Sequence, residues 1–89
     1  MATKSSIVSA ISAKVGSAAS AYRIGITHEP SERKTYWSNK TDTKYWAQWE
    51  ADSLSDAREI ENYFIQEKNM EGGEGGEMDT RKKTFVYVF

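Results

Sequence analysis

The stretch Thr84-Phe85-Val86-Tyr87-Val88-Phe89 is β-branched or aromatic at every position. Such residues fit a pleated surface, and a run that is apolar on both faces fits a strand covered on both sides. The sheet is expected to be built on this run and on Tyr22-Arg23-Ile24-Gly25-Ile26-Thr27. In the second segment Tyr22, Ile24 and Ile26 alternate onto one face, while Arg23, Gly25 and Thr27 share the other. A glycine in mid-strand marks a place where another group approaches the backbone. Tyr45–Ala51 reads as a further strand, with Trp46 and Trp49 on opposite faces.

Helical spacing occupies the intervals. Ile7, Ile11 and Val15 recur every four residues, so residues 4–16 read as a helix packed by one narrow stripe and ended near Gly16. Pro30 suits the first position of a short helix over 30–37, with Arg33 inside it. The strongest periodicity lies in residues 54–67, where Ser53 or Ser55 can cap and Asp56 suits the first turn. At about 100° per residue, Leu54, Ala57, Ile60, Phe64 and Ile65 fall in one arc, and Glu61 falls inside it. Residues 70–80 carry four glycines and four acids and read as a flexible acidic loop. The expected architecture is one α+β domain over 1–89, a three-stranded antiparallel sheet flanked by helices in the order α-β-α-β-α-β.

Eighty-nine residues build a modest core, and the five Tyr, three Trp and three Phe must supply its bulk. In so short a chain the tryptophans Trp37, Trp46 and Trp49 are expected in that core rather than stacked on bases. A net charge of −1 gives no overall pull toward nucleic acid or an anionic membrane, so any phosphate contact needs a local basic patch. The chain has no cysteine, which excludes disulfides and thiolate metal sites. The apolar run from Ile7 to Val15 faintly resembles a signal peptide. Ser9, Ser12 and Lys14 make it too polar for one, no run reaches transmembrane length, and the expected compartment is cytoplasmic.

Few residues carry chemistry. A carboxylate in an apolar stripe costs several kcal/mol to bury unless it finds a partner. Glu61 therefore either snorkels or pairs structurally, for example with Arg58, or is held at the base of a cleft to bind a divalent cation. Arg33, soon after a strand end, could clamp a phosphate bidentately or lie solvated on its helix. His28 follows the strand in a loop, where it could act as general acid or base or be a bystander. The cluster Arg81, Lys82, Lys83 could contact phosphate or simply lead a solvated chain into the last strand. The acids of the glycine-rich loop do not follow calcium-loop spacing.

Three of these features fall on one pattern. Tyr22-Arg23-Ile24-Gly25-Ile26-Thr27, with Arg33 eight positions after Gly25, resembles the second half of the GIY-YIG endonuclease signature. Asp56–Ile65 resembles the later helix that carries that family's metal-binding glutamate. The match covers residues 22–65. It implies a small antiparallel sheet flanked by helices, and cleavage of nucleic-acid phosphodiesters with magnesium or another divalent cation. Glu61 would hold the metal, Arg33 would stabilise charge on the phosphate, and a tyrosine would help activate water.

The pattern also departs from the family. Arg23 stands where the family has the tyrosine of its second motif, and Tyr22 is offset by one residue onto the opposite face. The strand carrying the first motif is absent, and the helical segment 4–16 occupies its place. The last strand would fill the vacancy if it pairs with 22–27, with Tyr87 standing in for the lost tyrosine. Asn69 is a candidate for the family's late asparagine. The expected site is thus Arg33, Glu61, Tyr22, Tyr87 and His28, with Arg23, Arg33 and Arg81–Lys83 contacting nucleic acid. The alternative is a GIY-YIG-like module without catalysis that binds nucleic acid or a protein.

Overall fold

The run that decides the sheet sits at its centre. In a computed structural model that describes residues 3–72 and 81–89, four strands pair in the order β2-β4-β1-β3. They are β1 (Arg23–Thr27), β2 (Ala47–Glu50), β3 (Glu71–Gly72) and β4 (Phe85–Val88). β4 runs antiparallel to both neighbours, with Gly25 opposite Tyr87 on one side and Gln48 opposite Tyr87 on the other. The ladder continues past the strand ends: Arg23 and Phe89 exchange N–H···O bonds of 2.8 and 3.1 Å, and Ala51 donates to the Thr84 carbonyl at 2.9 Å. A strand with both edges paired and both faces covered needs apolar residues throughout, which is what Phe85–Phe89 supplies.

The expected three-stranded antiparallel sheet is therefore four-stranded and mixed. The additional strand comes from the segment read as a loop. Asn69 adopts the left-handed conformation (φ 57°, ψ 30°) after the last helix, and the Met70 N–H reaches the Phe64 carbonyl at 3.1 Å. Asparagine tolerates that conformation better than most residues. The turn sends Met70 into the core and lays Glu71 and Gly72 parallel to Arg23 and Ile24. The flexible loop expected over 70–80 therefore does not include Met70, Glu71 or Gly72, while 73–80 lie outside the described residues.

Helices α1 (Lys4–Val15), α2 (Pro30–Ser38) and α3 (Leu54–Lys68) fall within a residue or two of their expected spans. Thr3 caps α1 through the Ser6 N–H, and Ser53 caps α3 through the Asp56 N–H at 3.0 Å. A short 3₁₀ turn at Ala19–Ala21 leads into β1. α3 lies on one face of the sheet and α1 packs against α3. The core is the sum of three stripes: Ile7, Ile11 and Val15 of α1, Ala57, Ile60 and Phe64 of α3, and Ile24, Ile26, Val86 and Val88 of the sheet.

Trp49 and Tyr22 join the edge of this core. Trp37 and Trp46, expected there as well, lie instead on the opposite face of the sheet. Trp46 stacks on Tyr87 with centroids 4.6 Å apart and planes 8° from parallel, and Trp37 packs against Phe89 at 5.3 Å. The strand period explains the split. Tyr87 alternates with Val86 and Val88, so its ring faces away from α3 and needs a separate aromatic cover. No helix among the described residues is long and apolar enough to cross a membrane.

Phe64 is fully buried where α3 meets the sheet. Phe64→Ala is expected to destabilise the domain by about 3–5 kcal/mol. That is a large share of the roughly 5–15 kcal/mol available to a small domain, so the urea midpoint should fall steeply.

Candidate functional site

A small cleft of about 20 Å³ opens beside β1 near Gly25, lined among others by Arg23, Gly25, Arg33, Trp37, Glu61 and Tyr87. It lies where three elements meet. On its outer side β1 pairs with β3 only through Arg23 and Ile24, so the backbone at Gly25 and Ile26 borders the cleft. α3 contributes Glu61, α2 contributes Arg33 and Trp37, and β4 contributes Tyr87.

Gly25 makes the arrangement sterically possible. A Cβ placed on it would collide with the hydroxyl end of the Tyr87 ring. The mid-strand glycine is thus explained by the close approach of a side chain, as its position implied. With the phenol seated over the bare backbone, its oxygen accepts a hydrogen bond of 3.1 Å from the Trp37 indole N–H. α2 has no buried residue of its own, and this bond, with the packing of Trp37 on Phe89 and beneath Arg23, ties it to the sheet. Arg33 and Trp37 are four positions apart on α2 and therefore share a face. The contact that docks Trp37 also turns Arg33 toward the cleft. The Arg33 guanidinium lies over the Tyr36 ring at 5.3 Å.

Glu61 is only 8 % exposed and occupies one position of the buried stripe Ala57, Ile60, Glu61, Phe64. It does not snorkel to the surface, and Arg58, the neighbour considered as its structural partner, is exposed. Among the described residues no group of three or more His, Cys, Asp or Glu side chains could hold a metal ion. One buried carboxylate does suit magnesium, which keeps several waters and is bound by one or two carboxylates together with phosphate oxygens.

Arg23 occupies the position where the resemblance calls for a tyrosine. Its guanidinium lies 4.6 Å from the Trp37 ring centroid, and Nη2 pairs with Glu71 at 3.1 Å. The cleft therefore carries two guanidinium groups, one carboxylate and one phenol around the β1 backbone at Gly25.

The structure brings together Arg33, Glu61, Tyr87 and Arg23 and leaves the other expected site residues off the lining. Tyr22 points to the opposite face of β1 and packs on the core edge, as the one-residue offset requires. His28 Nδ1 donates to the Lys83 carbonyl at 2.9 Å, which ties the end of β1 to the start of β4. Arg81, Lys82 and Lys83 are exposed ahead of β4, at the end of the sheet where β1 finishes. Asn69 serves as the left-handed helix cap. Sequence reasoning missed Trp37, whose indole anchors both Tyr87 and Arg23. The available signal was its spacing of four from Arg33. No protein-family model, curated protein or solved structure matches the chain.

Gly25→Ala is expected to force the Tyr87 ring out of place and to cost about 1–3 kcal/mol of stability. In the Tyr87→Ala background the same glycine change should cost far less. A double-mutant cycle by urea unfolding measures the coupling, and additive effects would show that the two residues are not in contact.

Proposed function

We propose that this domain is a metal-dependent phosphodiester hydrolase acting on nucleic acid, with a GIY-YIG-like site completed by its C-terminal strand. One observation carries the reading: Arg33, Glu61 and Tyr87, from three different elements, line the same cleft around Gly25. The antiparallel pairing of β4 with β1 supports it, because Tyr87 thereby stands beside the glycine of the motif and can replace the tyrosine of the absent strand.

The volume constrains how such a site works. About 20 Å³ holds a water-sized group and not a phosphodiester. The phosphate therefore docks at the mouth, where Arg33 can offer two parallel N–H donors to its oxygens and stabilise the charge that develops there. Glu61 would supply carboxylate oxygens to a divalent cation, whose chemistry when bound would be that of a Lewis acid toward a phosphate oxygen. The Tyr87 hydroxyl, fixed at the cleft wall by the Trp37 N–H, would help to orient a water there. Arg23, braced by Trp37 and Glu71, adds a second positive charge near the phosphate path.

A second reading is favoured by Arg23 itself. With an arginine where the family places a tyrosine, the same cleft could hold a phosphate without cutting it. Nicking of circular DNA in magnesium, supercoiled duplex and single-stranded in parallel, separates the two. The hydrolase reading expects Glu61→Gln and Arg33→Ala each to reduce nicking by at least about 100-fold, the scale of a lost transition-state contact. Circular dichroism should show both variants folded. Equal nicking by wild type and Glu61→Gln would remove the catalytic assignment, and binding by wild type without nicking would leave the module reading.

A further inference from the structure

The basic residues of this chain are unevenly placed. Between residues 33 and 46 lie Arg33, Lys34, Lys40 and Lys44 against the single acid Asp42, a local charge of +3 in a chain whose net charge is −1. Interleaved with them are Tyr36, Trp37, Tyr45 and Trp46. Cations sit on these rings: Arg33 and Lys40 over Tyr36 at 5.3 and 5.0 Å, and Lys44 over Tyr45 at 5.0 Å.

This segment forms one wall of a groove of about 620 Å³ that adjoins the cleft, sharing Arg23 and Trp37 with it. That volume is in the range of roughly 300–1,000 Å³ that small-ligand sites occupy. Tyr45, Trp37 and Phe89 supply its aromatic surfaces, and Lys40 and Arg23 its positive charge. Its two acids are Glu71, which pairs with Arg23, and Asp42, which accepts a hydrogen bond of 2.9 Å from the Lys44 backbone N–H, so the excess positive charge lies along the 33–46 wall rather than on the groove lining as a whole.

The wall is organised by local bonds. Thr41 N–H donates to the Trp37 carbonyl at 2.9 Å, Ser38 and Thr43 hydroxyls bond at 2.7 Å, and Trp46 N–H donates to Thr43 at 3.0 Å. The indole N–H groups of Trp37 and Trp46 already donate to Tyr87 and Gln48. Tyr45, by contrast, is 59 % exposed, with the Lys44 ammonium 5.0 Å from its ring centroid.

We infer that this groove is a single-strand subsite: it holds an unpaired nucleotide of a nucleic-acid strand, its base stacked on Tyr45 and its phosphates along Lys40 in the lining and Lys44 beside the Tyr45 ring. Every base has a face that stacks on an aromatic ring, and cations interleaved with such rings follow the backbone. Duplexed bases have no free face, so the groove selects single-stranded over paired substrate. This assignment rests on the nucleic-acid reading of the cleft and specifies the form of substrate that reaches it.

The test is fluorescence anisotropy of a labelled ten-nucleotide dT oligomer in EDTA, which measures binding without cleavage. The single strand should bind at least about tenfold tighter than a duplex of the same length. Tyr45→Ala should weaken it about tenfold, and Tyr45→Phe should retain wild-type affinity because the stacking face is kept. Lys40→Gln and Lys44→Gln should each lower the slope of log K against log salt by about 0.7. An oligo-U of equal length should bind comparably, since base face and phosphate are read and the sugar is not. Unchanged affinity in folded Tyr45→Ala, or equal binding of duplex and single strand, would overturn the assignment. The nicking assay keeps the two claims apart. Tyr45-dependent binding without any nicking removes the hydrolase and leaves the groove. Nicking with Tyr45-independent binding does the reverse.

Discussion

The hydroxyl end of Tyr87 rests where Gly25 has no side chain, and the far side of the domain is built outward from that contact. Because the ring fits against β1, its oxygen is in reach of the Trp37 indole, and α2 gains an anchor that its own exposed sequence does not provide. Trp46 then closes the other face of the phenol by near-parallel stacking. A side chain at position 25 would displace the ring and uncouple α2, and with it Arg33, from the sheet. Interiors are packed densely enough that one methyl group in such a place has no room.

The two faces of the sheet divide the labour. The face toward α3 and α1 is an aliphatic core of Ile, Val, Ala and one Phe, where burial supplies the stability. The other face is aromatic and cationic and leaves tyrosines exposed to solvent. Glu61 belongs to the first set by position and to the second by chemistry. It fills a position in the buried α3 stripe and also lines the cleft.

Much of this was legible from periodicity. The stripes of Ile7, Ile11, Val15 and of Ala57, Ile60, Phe64 defined α1 and α3, and Glu61 stood out because it broke an otherwise apolar arc. Gly25 announced a close approach, although not which residue makes it. Two readings failed for stated reasons. β3 is two residues long and contains a glycine, so it has no alternation to detect, and only its pairing with β1 reveals it. The tryptophans were assigned to the core on size alone, yet the strand period and the stacking on Tyr87 put Trp46 on the other face.

The sequence by itself determined the helices, the three longer strands and the aliphatic residues that face the core, because hydrophobic spacing and capping are local properties. It also determined that a carboxylate would be withdrawn from water on α3. Only the tertiary structure decided that Arg33, Glu61 and Tyr87 meet. Their meeting depends on β4 pairing with β1 across some sixty residues of chain, in the one register that sets Tyr87 opposite Gly25. Non-local pairing is fixed by how whole faces fit together, and a shift of one residue would have turned Tyr87 into the core and emptied the cleft.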